Sequence, residues 1–252
     1  RLGFFIVHLT MNTHRPCVRG SKTTILLIRH AHVENPHRIL YGRLPRFRLS
    51  ALGREQAQHT ARLLHHIPLA AVFSSPLLRC RQTAREILAF HPDLRLQIST
   101  RMTEVHTPYQ GMPAAVVESR GGDVYTDAPT GYEQPADIVR RARSFLTSVR
   151  KHYTAACVAA VTHGDVIAFV ALWACGFALT PANKLRLGRI GIFDAYPAHG
   201  SITMLTYHTD DPNERPQVTY RPSPEQLRRM VESRYYPLKR SGAKGGERLF
   251  SG

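Results

Sequence analysis

The sequence predicts an α/β fold, specifically a three-layer α/β/α sandwich with a mainly parallel central sheet. Short apolar segments such as "KTTILLI" and "AACVAAVTH" have the composition of strands buried on both faces. Between them lie segments with apolar residues at helical spacing, often with Ser or Pro near the start. Strands that alternate with helices in this way favour parallel pairing, with helices on both faces of the sheet.

The first half of the chain predicts three strands and two helices. The strands are assigned to residues 22–28, 69–75 and 94–100, and the helices to residues 49–67 and 76–90. Ser50 is the expected N-cap of the first helix, which Pro68 ends. Ser75 and Pro76 predict the start of the second helix. Residues 94–100 alternate between apolar and polar, which places that strand nearer an edge of the sheet.

The second half begins with an irregular segment, residues 105–134, that is rich in Gly, Pro and Asp. Segments of this length without regular structure are usually kept for function. After it we predict helices at 134–152 and 165–179, and strands at 155–163, 188–196 and 201–208. A terminal helix over residues 223–235 is expected to be capped by Ser223.

Length and composition predict one large domain, because 252 residues with 43% hydrophobic content can bury a sizeable core. We assign this domain to residues 22–236. Residues 1–21 are expected to be a flexible extension, with an apolar patch too short for a signal peptide. Residues 237–252 are expected to be a basic, disordered tail. No apolar run approaches the roughly 20 residues of a membrane span, so no membrane partner is expected.

The cysteines argue against a disulfide framework or a zinc site. They are scattered and form no CxxC pair: Cys17, Cys80, Cys157 and Cys175. This usage is typical of a reducing compartment, and we therefore expect a cytoplasmic location.

The net charge of +16 suggests an anionic partner. Nucleic acid is one alternative, and a salt-titrated binding assay would test it. The arginines are dispersed, however, and no run of five or more basic residues occurs. The charge pattern argues against a nucleic-acid partner and is equally compatible with a small anionic substrate. The sequence leaves the oligomeric state open.

Chemically active residues follow the predicted strands. The first strand ends in Arg29 and His30, and the strand at 155–163 ends in His163. Arg79 lies in the first turn after the second strand, and Glu104 follows the strand at 94–100. The carboxyl ends of parallel strands meet at one edge of a sheet, where α/β proteins bind their ligands. We therefore expect these five side chains to converge.

This set of residues suits a phosphomonoester. Arginine binds phosphate oxygens in a bidentate manner, and a neutral imidazole can attack phosphorus. A second imidazole can neutralise charge on the phosphoryl oxygens, and a carboxyl group can protonate the leaving oxygen. No metal or other cofactor is required by such a set.

Each assignment has an ordinary alternative. A histidine after a strand is commonly a surface residue. Arg81 and Arg85 compete with Arg79 for the position on the helix, and the acids of the irregular segment compete with Glu104: Glu118, Asp123 and Asp127. The coincidence of all five residues at strand ends favours the site over the separate alternatives.

The sequence resembles a known family at these residues. The blocks "LLIRHAHVE", "SSPLLRCRQTARE" and "VTHGDVI" resemble the three signature segments of the histidine phosphatase superfamily, also called the phosphoglycerate mutase-like fold. The segment "YGRLPRFRLSALGREQA" resembles the family's link and first helix, and "TEVHTPYQGMP" resembles the segment that carries its acid. The similarity runs from about Lys22 to His208 in the family order.

The resemblance implies a role for each residue. His30 matches the histidine that becomes phosphorylated, and Glu104 matches the proton donor. Arg29, Arg79 and His163 match the phosphate pocket, with His163 also part of the catalytic set. The resemblance therefore implies a metal-independent phosphatase that forms a phosphohistidine.

Two positions depart from the family pattern. Ala31 stands where the family usually has Gly, which is tolerable if φ is negative there. The family's phosphate-binding Asn usually lies six residues after the nucleophile, where this chain has Pro36. Asn35 is one residue short of that position and is the candidate for this phosphate contact.

Three other functions compete with that of a phosphatase. A phosphoglycerate mutase would use the same site, but the segment 106–134 has Arg120 as its only Arg and no Lys to retain an intermediate, which favours hydrolysis. A phosphate- or nucleic-acid-binding protein without turnover does not need the full catalytic set. A serine hydrolase lacks support, because "SSP" has no flanking glycines of a nucleophile elbow.

The leaving-group side of the site is expected to come from residues 33–49 and from the irregular segment. The side chains that could reach a substrate there are His37, Arg38, Tyr41, Arg43, Arg46, Tyr109 and Tyr125. This mixture favours a sugar phosphate or another small anionic organic phosphate.

Overall fold

The computed structural model describes residues 22–192 and 196–222. A six-stranded sheet has the order β3-β2-β4-β1-β5-β6. The strands are β1 (Thr23–Arg29), β2 (Leu69–Ser74), β3 (Leu96–Ile98), β4 (Cys157–Thr162), β5 (Ile202–Tyr207) and β6 (Gln217–Arg221). The first four strands pair in parallel, β5 is antiparallel to β1, and β6 is antiparallel to β5.

The described helices are α1 (Ala51–Leu64), α2 (Leu78–Leu88), α3 (Ala114–Glu118), α4 (Pro135–His152), α5 (Gly164–Ala174) and α6 (Pro181–Lys184). Short 3₁₀ helices occupy Thr100–Met102 and Leu187–Ile190. Ser50 caps α1 by accepting a hydrogen bond from the Gly53 amide, as predicted. The predicted α/β fold class with a mainly parallel sheet is confirmed. None of the helices in the described ranges is both long and apolar enough to cross a membrane.

Helices cover both faces of the sheet. Leu26 and Ile28 of β1 pack with α1 and α2 in one core, while Ile25 and Leu27 pack with α4 and α5 in another. Successive residues of a strand point to opposite faces, so β1 is buried between the two cores. This explains its uninterrupted apolar sequence, and it fixes the position at which the strand ends.

The sheet register brings the predicted strand ends together. Arg29 at the end of β1 lies beside Thr162 at the end of β4. The His30 amide then donates to the Thr162 carbonyl at 2.9 Å. His30 and His163 each follow one of these paired residues, so parallel pairing places both imidazoles at the same edge.

One predicted strand and the end of one predicted helix are wrong because of local backbone geometry. The expected strand at 188–196 is a 3₁₀ helix over its first residues, and Gly191 has a φ of +84°, which no strand adopts. Residues 193–195 lie outside the described ranges. The expected helix at 165–179 ends at Ala174, since Gly176 takes a φ of +78°.

Other predictions need smaller corrections. β6 was not predicted, because its alternating, mostly exposed sequence resembles a polar loop. The irregular segment contains α3. Ser75 does not cap α2: the N-cap is Leu77, and the Ser75 hydroxyl lies 2.8 Å from His163 Nε2. The predicted flexible extension, terminal helix and basic tail fall outside the described residues.

The loop that follows His30 is packed against the start of α1. The Ser50 amide donates to the His32 carbonyl at 3.1 Å, and the His32 amide donates to Gln56 at 2.9 Å. A Cβ atom on Gly53 would lie 1.9 Å from the His32 carbonyl oxygen. Residue 53 therefore has to be a glycine, because the two backbone segments lie too close together for a side chain.

We predict that Gly53→Ala destabilises the protein, although Gly→Ala within a helix usually stabilises it by about 1 kcal/mol. The clash with backbone should lower the free energy of unfolding by about 1–3 kcal/mol. Urea unfolding measures the change. Gly188→Ala is the control, because a Cβ atom there meets nothing within 4 Å. A Gly53→Ala protein as stable as the parent would contradict this packing.

Candidate active site

His30 is buried at the end of β1, with 1% of its surface exposed. Its Nδ1 lies 2.9 Å from the Ala31 carbonyl oxygen. A carbonyl oxygen can only accept, so this contact places the imidazole proton on Nδ1 and leaves the lone pair on Nε2. The Arg79 Nε donates to that lone pair at 3.2 Å. His30 thus directs an unprotonated Nε2 at a guanidinium.

Arg79 lies in the first turn of α2, and its side chain is completely buried. It donates to the Gly42 carbonyl at 2.7 Å and contacts His163 Nδ1 at 3.3 Å, while its guanidinium stacks 4.7 Å from the Tyr41 ring centre. No carboxylate among the described residues lies within ion-pair distance of it. A buried cation without a paired anion is costly, so this position favours an anionic ligand.

His163 follows β4 and is also fully buried. Its Nε2 lies 2.8 Å from the Ser75 hydroxyl, and its Nδ1 lies 3.5 Å from a Glu104 carboxyl oxygen. The centres of the His163 and His30 rings are 5.3 Å apart. The two imidazoles, the guanidinium and the carboxyl group therefore form one cluster.

Burial and positive charge keep both imidazoles neutral. Burial lowers the pKa of His30 well below its ordinary value, and the nearby Arg79 charge lowers it further. The pKa of His163 is lowered well below its usual range by burial and then by Arg79. Near neutral pH, His30 therefore keeps the lone pair that a nucleophile needs.

Glu104 has the opposite shift. Burial raises the pKa of its carboxyl group, and the negative charge of Asp165 raises it further. The side chain is only 16% exposed, and one oxygen accepts a hydrogen bond from the Val105 amide at 2.9 Å. A carboxyl group that holds its proton to higher pH is suited to act as a general acid.

The backbone of Glu104 is held by a clamp of three side chains. Its carbonyl oxygen accepts from Arg43 Nε at 2.7 Å and from Arg141 Nη2 at 3.3 Å. Glu133 binds both guanidinium groups, at 2.8 Å from Arg43 and 2.7 Å from Arg141. This clamp was not predicted from the sequence, because its members are far apart along the chain and each has an unremarkable local context.

The Arg29 guanidinium lies in the same cavity wall as His30 and has an N–H group free to bind a ligand. One guanidinium nitrogen donates to the Pro197 carbonyl at 2.7 Å, and the group stacks 5.1 Å from the Tyr196 ring centre. Its Nε is buried and finds no hydrogen-bond partner among the described residues. An unsatisfied donor of this kind is consistent with a bound anion.

The two departures from the family pattern have clear structural positions. Ala31 is buried and has a negative φ, and its amide donates to Thr83 at 3.2 Å, so the alanine is tolerated. Asn35 lines the same cavity as His30. Its amide group, however, bonds the Ile39 carbonyl at 2.8 Å and the Ile39 amide at 3.2 Å. The phosphate contact of Asn35 stays a prediction and would require these two bonds to be exchanged.

A cavity of about 630 Å³ opens from this cluster, and Arg29, His30 and Glu104 lie in its wall. Of the seven side chains expected on the leaving-group side, only Tyr41 lines it. Arg43 is turned to Glu133, and Arg38 lies 3.8 Å from Glu118. For the other six side chains the predicted place in the wall is therefore wrong, since the sequence shows which loops approach the site but not where their side chains point.

A polar group at the start of α5 was also not predicted. Asp165 is buried and accepts hydrogen bonds from Tyr125, from Tyr196 at 2.6 Å and from Lys184 at 3.1 Å. Burial, with the Asp165 charge, raises the pKa of both tyrosines well above their ordinary value. His199 is a further unpredicted neighbour, with its ring centre 5.5 Å from that of His30.

Comparison with curated proteins finds partial matches of unknown activity. An uncharacterised protein of Mycobacterium tuberculosis strain H37Rv, Rv0525, is 41% identical over 90 residues, which cover 36% of this chain and 44% of that protein. The chain thus spans less than half the length of the curated relatives it matches.

Solved structures match over most of the chain. The mycobacterial glucosyl-3-phosphoglycerate phosphatase Rv2419c has a TM-score of 0.62 at 23% identity, covering 79% of this chain and 96% of that one. A phosphoserine phosphatase of Entamoeba histolytica, in complex with 3-phosphoglyceric acid, has a TM-score of 0.63 at 20% identity, covering 80% and 98%. At these identities the similarity establishes the fold.

The family model for the histidine phosphatase superfamily, branch 1, matches residues 25–211. This range is well over half of the chain. It contains all five predicted site residues, which are Arg29, His30, Arg79, Glu104 and His163. The chain therefore belongs to the histidine phosphatase superfamily.

Proposed function

We propose that the protein is a metal-independent phosphatase that hydrolyses a small phosphomonoester through a phosphohistidine on His30. The observation that carries this proposal is the contact of the neutral His30 Nε2 with Arg79, a buried cation without an ion-pair partner among the described residues. Membership of the superfamily supports a phosphatase or another phosphoryl-transfer activity.

In the first half-reaction, Arg29 and Arg79 bind the phosphate oxygens. Arg79 exchanges its hydrogen bond to His30 Nε2 for one to the phosphate, and the freed lone pair attacks phosphorus. The new N–P bond forms as the P–O bond to the leaving group breaks, and Glu104 gives its proton to the departing oxygen. His163 lies beside Arg79 and helps to neutralise charge on the phosphoryl oxygens.

In the second half-reaction, water attacks the phosphohistidine. Glu104, now a carboxylate, accepts a proton from this water as the N–P bond breaks and inorganic phosphate is released. His30 regains its lone pair on Nε2, because the Ala31 carbonyl keeps the other proton on Nδ1 throughout. The two halves return every group to its starting form.

The proposal assigns no step to a metal ion. Within residues 22–192 and 196–222, no three His, Cys, Asp or Glu side chains converge to hold one. Activity in excess chelator tests this part directly. A cytoplasmic location also stays a prediction, since it follows only from cysteine usage.

We predict that His30→Ala lowers phosphate release from 4-nitrophenyl phosphate by about 10⁴-fold, because the nucleophile is lost. His37→Ala is the control, as this histidine is exposed in the same loop and does not line the cavity. Brief incubation with labelled substrate should give an acid-labile, base-stable phosphoprotein in the parent and in His37→Ala, but not in His30→Ala.

Retention of most of the activity by His30→Ala would overturn the proposal. A coupled assay with 3-phosphoglycerate separates hydrolysis from mutase activity, which would pass the phosphoryl group back to an intermediate.

We predict that inorganic phosphate stabilises the protein by filling the cationic site. At 100 times its dissociation constant, a ligand adds about 2.7 kcal/mol to the free energy of unfolding. Arg79→Met should abolish this gain, measured as the shift in melting temperature. Arg85→Met is the matched control, because Arg85 is exposed on the same helix, and this variant should keep the gain. An equal shift in both variants would place phosphate elsewhere.

We predict a bell-shaped dependence of kcat/KM on pH. Ordinary values of about 6.5 for His and 4.3 for Glu would leave no pH at which His is mostly neutral and Glu mostly protonated. The lowered pKa of His30 and the raised pKa of Glu104 both act against this order, since each shift extends the pH range in which its group has the required protonation state. Activity should fall on the acid side as His30 gains a proton, and on the basic side as Glu104 loses one.

Glu104→Gln tests the assignment of the basic limb. The variant should be slower by about 10²- to 10⁴-fold and should lose that limb, while the acid limb remains. Ionisation of the substrate changes kcat/KM in the same way in the parent and in Glu104→Gln, so the comparison isolates the enzyme group. A basic limb unchanged in Glu104→Gln would assign the general acid to another group.

A further inference from the structure

The cavity has two chemically different parts. Arg29, His30 and Glu104 form its phosphate end. Most of the remaining wall is apolar and includes Ile39, Leu40, Ala114, Val117, Val124 and Leu185. Because the phosphorus must face His30 Nε2, the leaving group of the substrate has to lie against this apolar wall.

Several polar side chains of the apolar part are already engaged in hydrogen bonds within the protein. Asn35 is bonded to Ile39 on both sides of its amide, and the Tyr196 hydroxyl donates to Asp165 at 2.6 Å. Thr107 is buried and its hydroxyl is directed at the Val124 carbonyl, 3.5 Å away. A sugar with several hydroxyl groups would lose its water and find few free partners here.

The charges of this part are paired as well. Lys184 is buried and donates to Asp165 at 3.1 Å and to the Gly122 carbonyl at 2.9 Å. Glu118 adds a negative charge at the wall, 3.8 Å from Arg38. Among the described residues that line the cavity, Arg29 and Lys184 are the only Lys or Arg. Lys184 is paired with Asp165 and Arg38 with Glu118, so a second anionic group on the substrate would have to compete with a carboxylate of the protein for either cation.

One apolar side chain of the wall is itself largely exposed, and two others lie close to wall residues in sequence. Leu185 is 43% exposed, and its Cδ2 would lie 3.9 Å from a Cβ atom placed on Gly122, another residue of the wall. Met112 and Val116, 43% and 38% exposed, belong to the same segment as Ala114 and Val117. A large apolar side chain that is exposed in the wall of a cavity favours an apolar ligand.

We infer that the substrate is the phosphomonoester of an apolar alcohol, with an alkyl, prenyl or aromatic group in the leaving position. This inference rests on the phosphatase function proposed above and replaces the sugar phosphate that the sequence favoured. The apolar wall binds the carbon chain by removing it from water, while the phosphate end supplies the charge complementarity.

Straight-chain alkyl phosphates from ethyl to octyl test the inference, since their leaving alcohols differ little in basicity. The value of kcat/KM should rise by about three- to fourfold for each added methylene until the wall is covered. Glycerol 1-phosphate and 3-phosphoglycerate should fall below butyl phosphate. A flat series, or a preference for either of these two polar substrates, would overturn the inference.

Two equally exposed leucines give a matched pair of variants. Leu185→Glu should reduce kcat/KM for octyl phosphate at least tenfold more than for ethyl phosphate. Leu52→Glu is the control, because Leu52 is 44% exposed but lies on α1, outside the cavity wall. Its chain-length dependence should match that of the parent. An equal loss in both variants would contradict the assignment of the wall.

Binding of alkylphosphonates, which have no ester bond to break, separates this inference from the proposed function. Calorimetry should show affinity that rises with chain length in the parent and in Leu52→Glu. If affinity rises but the alkyl phosphates are not hydrolysed, the apolar site stands and the phosphatase proposal fails. If hydrolysis depends on His30 but neither affinity nor kcat/KM rises with length, the phosphatase proposal stands and the apolar site fails.

Discussion

The rest of the site depends on one buried guanidinium. Arg79 lies between the two imidazoles, bonded to His30 Nε2 and in contact with His163 Nδ1, and no described carboxylate pairs with it. Its charge adds to burial in lowering the pKa of both histidines, so neither is protonated near neutral pH. The same charge attracts an anionic substrate. Nucleophile activation and substrate binding are thus two effects of a single unpaired cation.

A cation held in this way needs a rigid surrounding structure. Parallel pairing of β1 with β4 sets His30 and His163 side by side, and the cores on both faces of the sheet fix the strand ends. Glu104 comes from a loop instead, and the clamp of Arg43, Arg141 and Glu133 holds its backbone in place. The strands therefore position the nucleophile, while an ion-pair network positions the acid.

Much of this arrangement could be predicted from the sequence, and the reason is local. The buried strands are continuous apolar segments, and Arg29, His30 and His163 follow them directly, so period and topology together place these residues at one edge. The Glu133 clamp and the Asp165 group depend on the directions of side chains from helices and loops that are distant in sequence, which no period encodes. The apolar wall was missed for the same reason: Arg38 and Arg43 belong to a loop that approaches the cavity, but neither lines it, and each pairs with a carboxylate.

The central claim is that His30 is a neutral imidazole with its lone pair on Nε2, and nitrogen-15 NMR of the histidine side chains tests it most directly. At pH 7 without phosphate, the His30 signals should show a protonated Nδ1 and an unprotonated Nε2. This state should persist well below the ordinary histidine pKa, as burial and Arg79 require. An imidazolium at pH 7, or a proton on Nε2, would contradict the account.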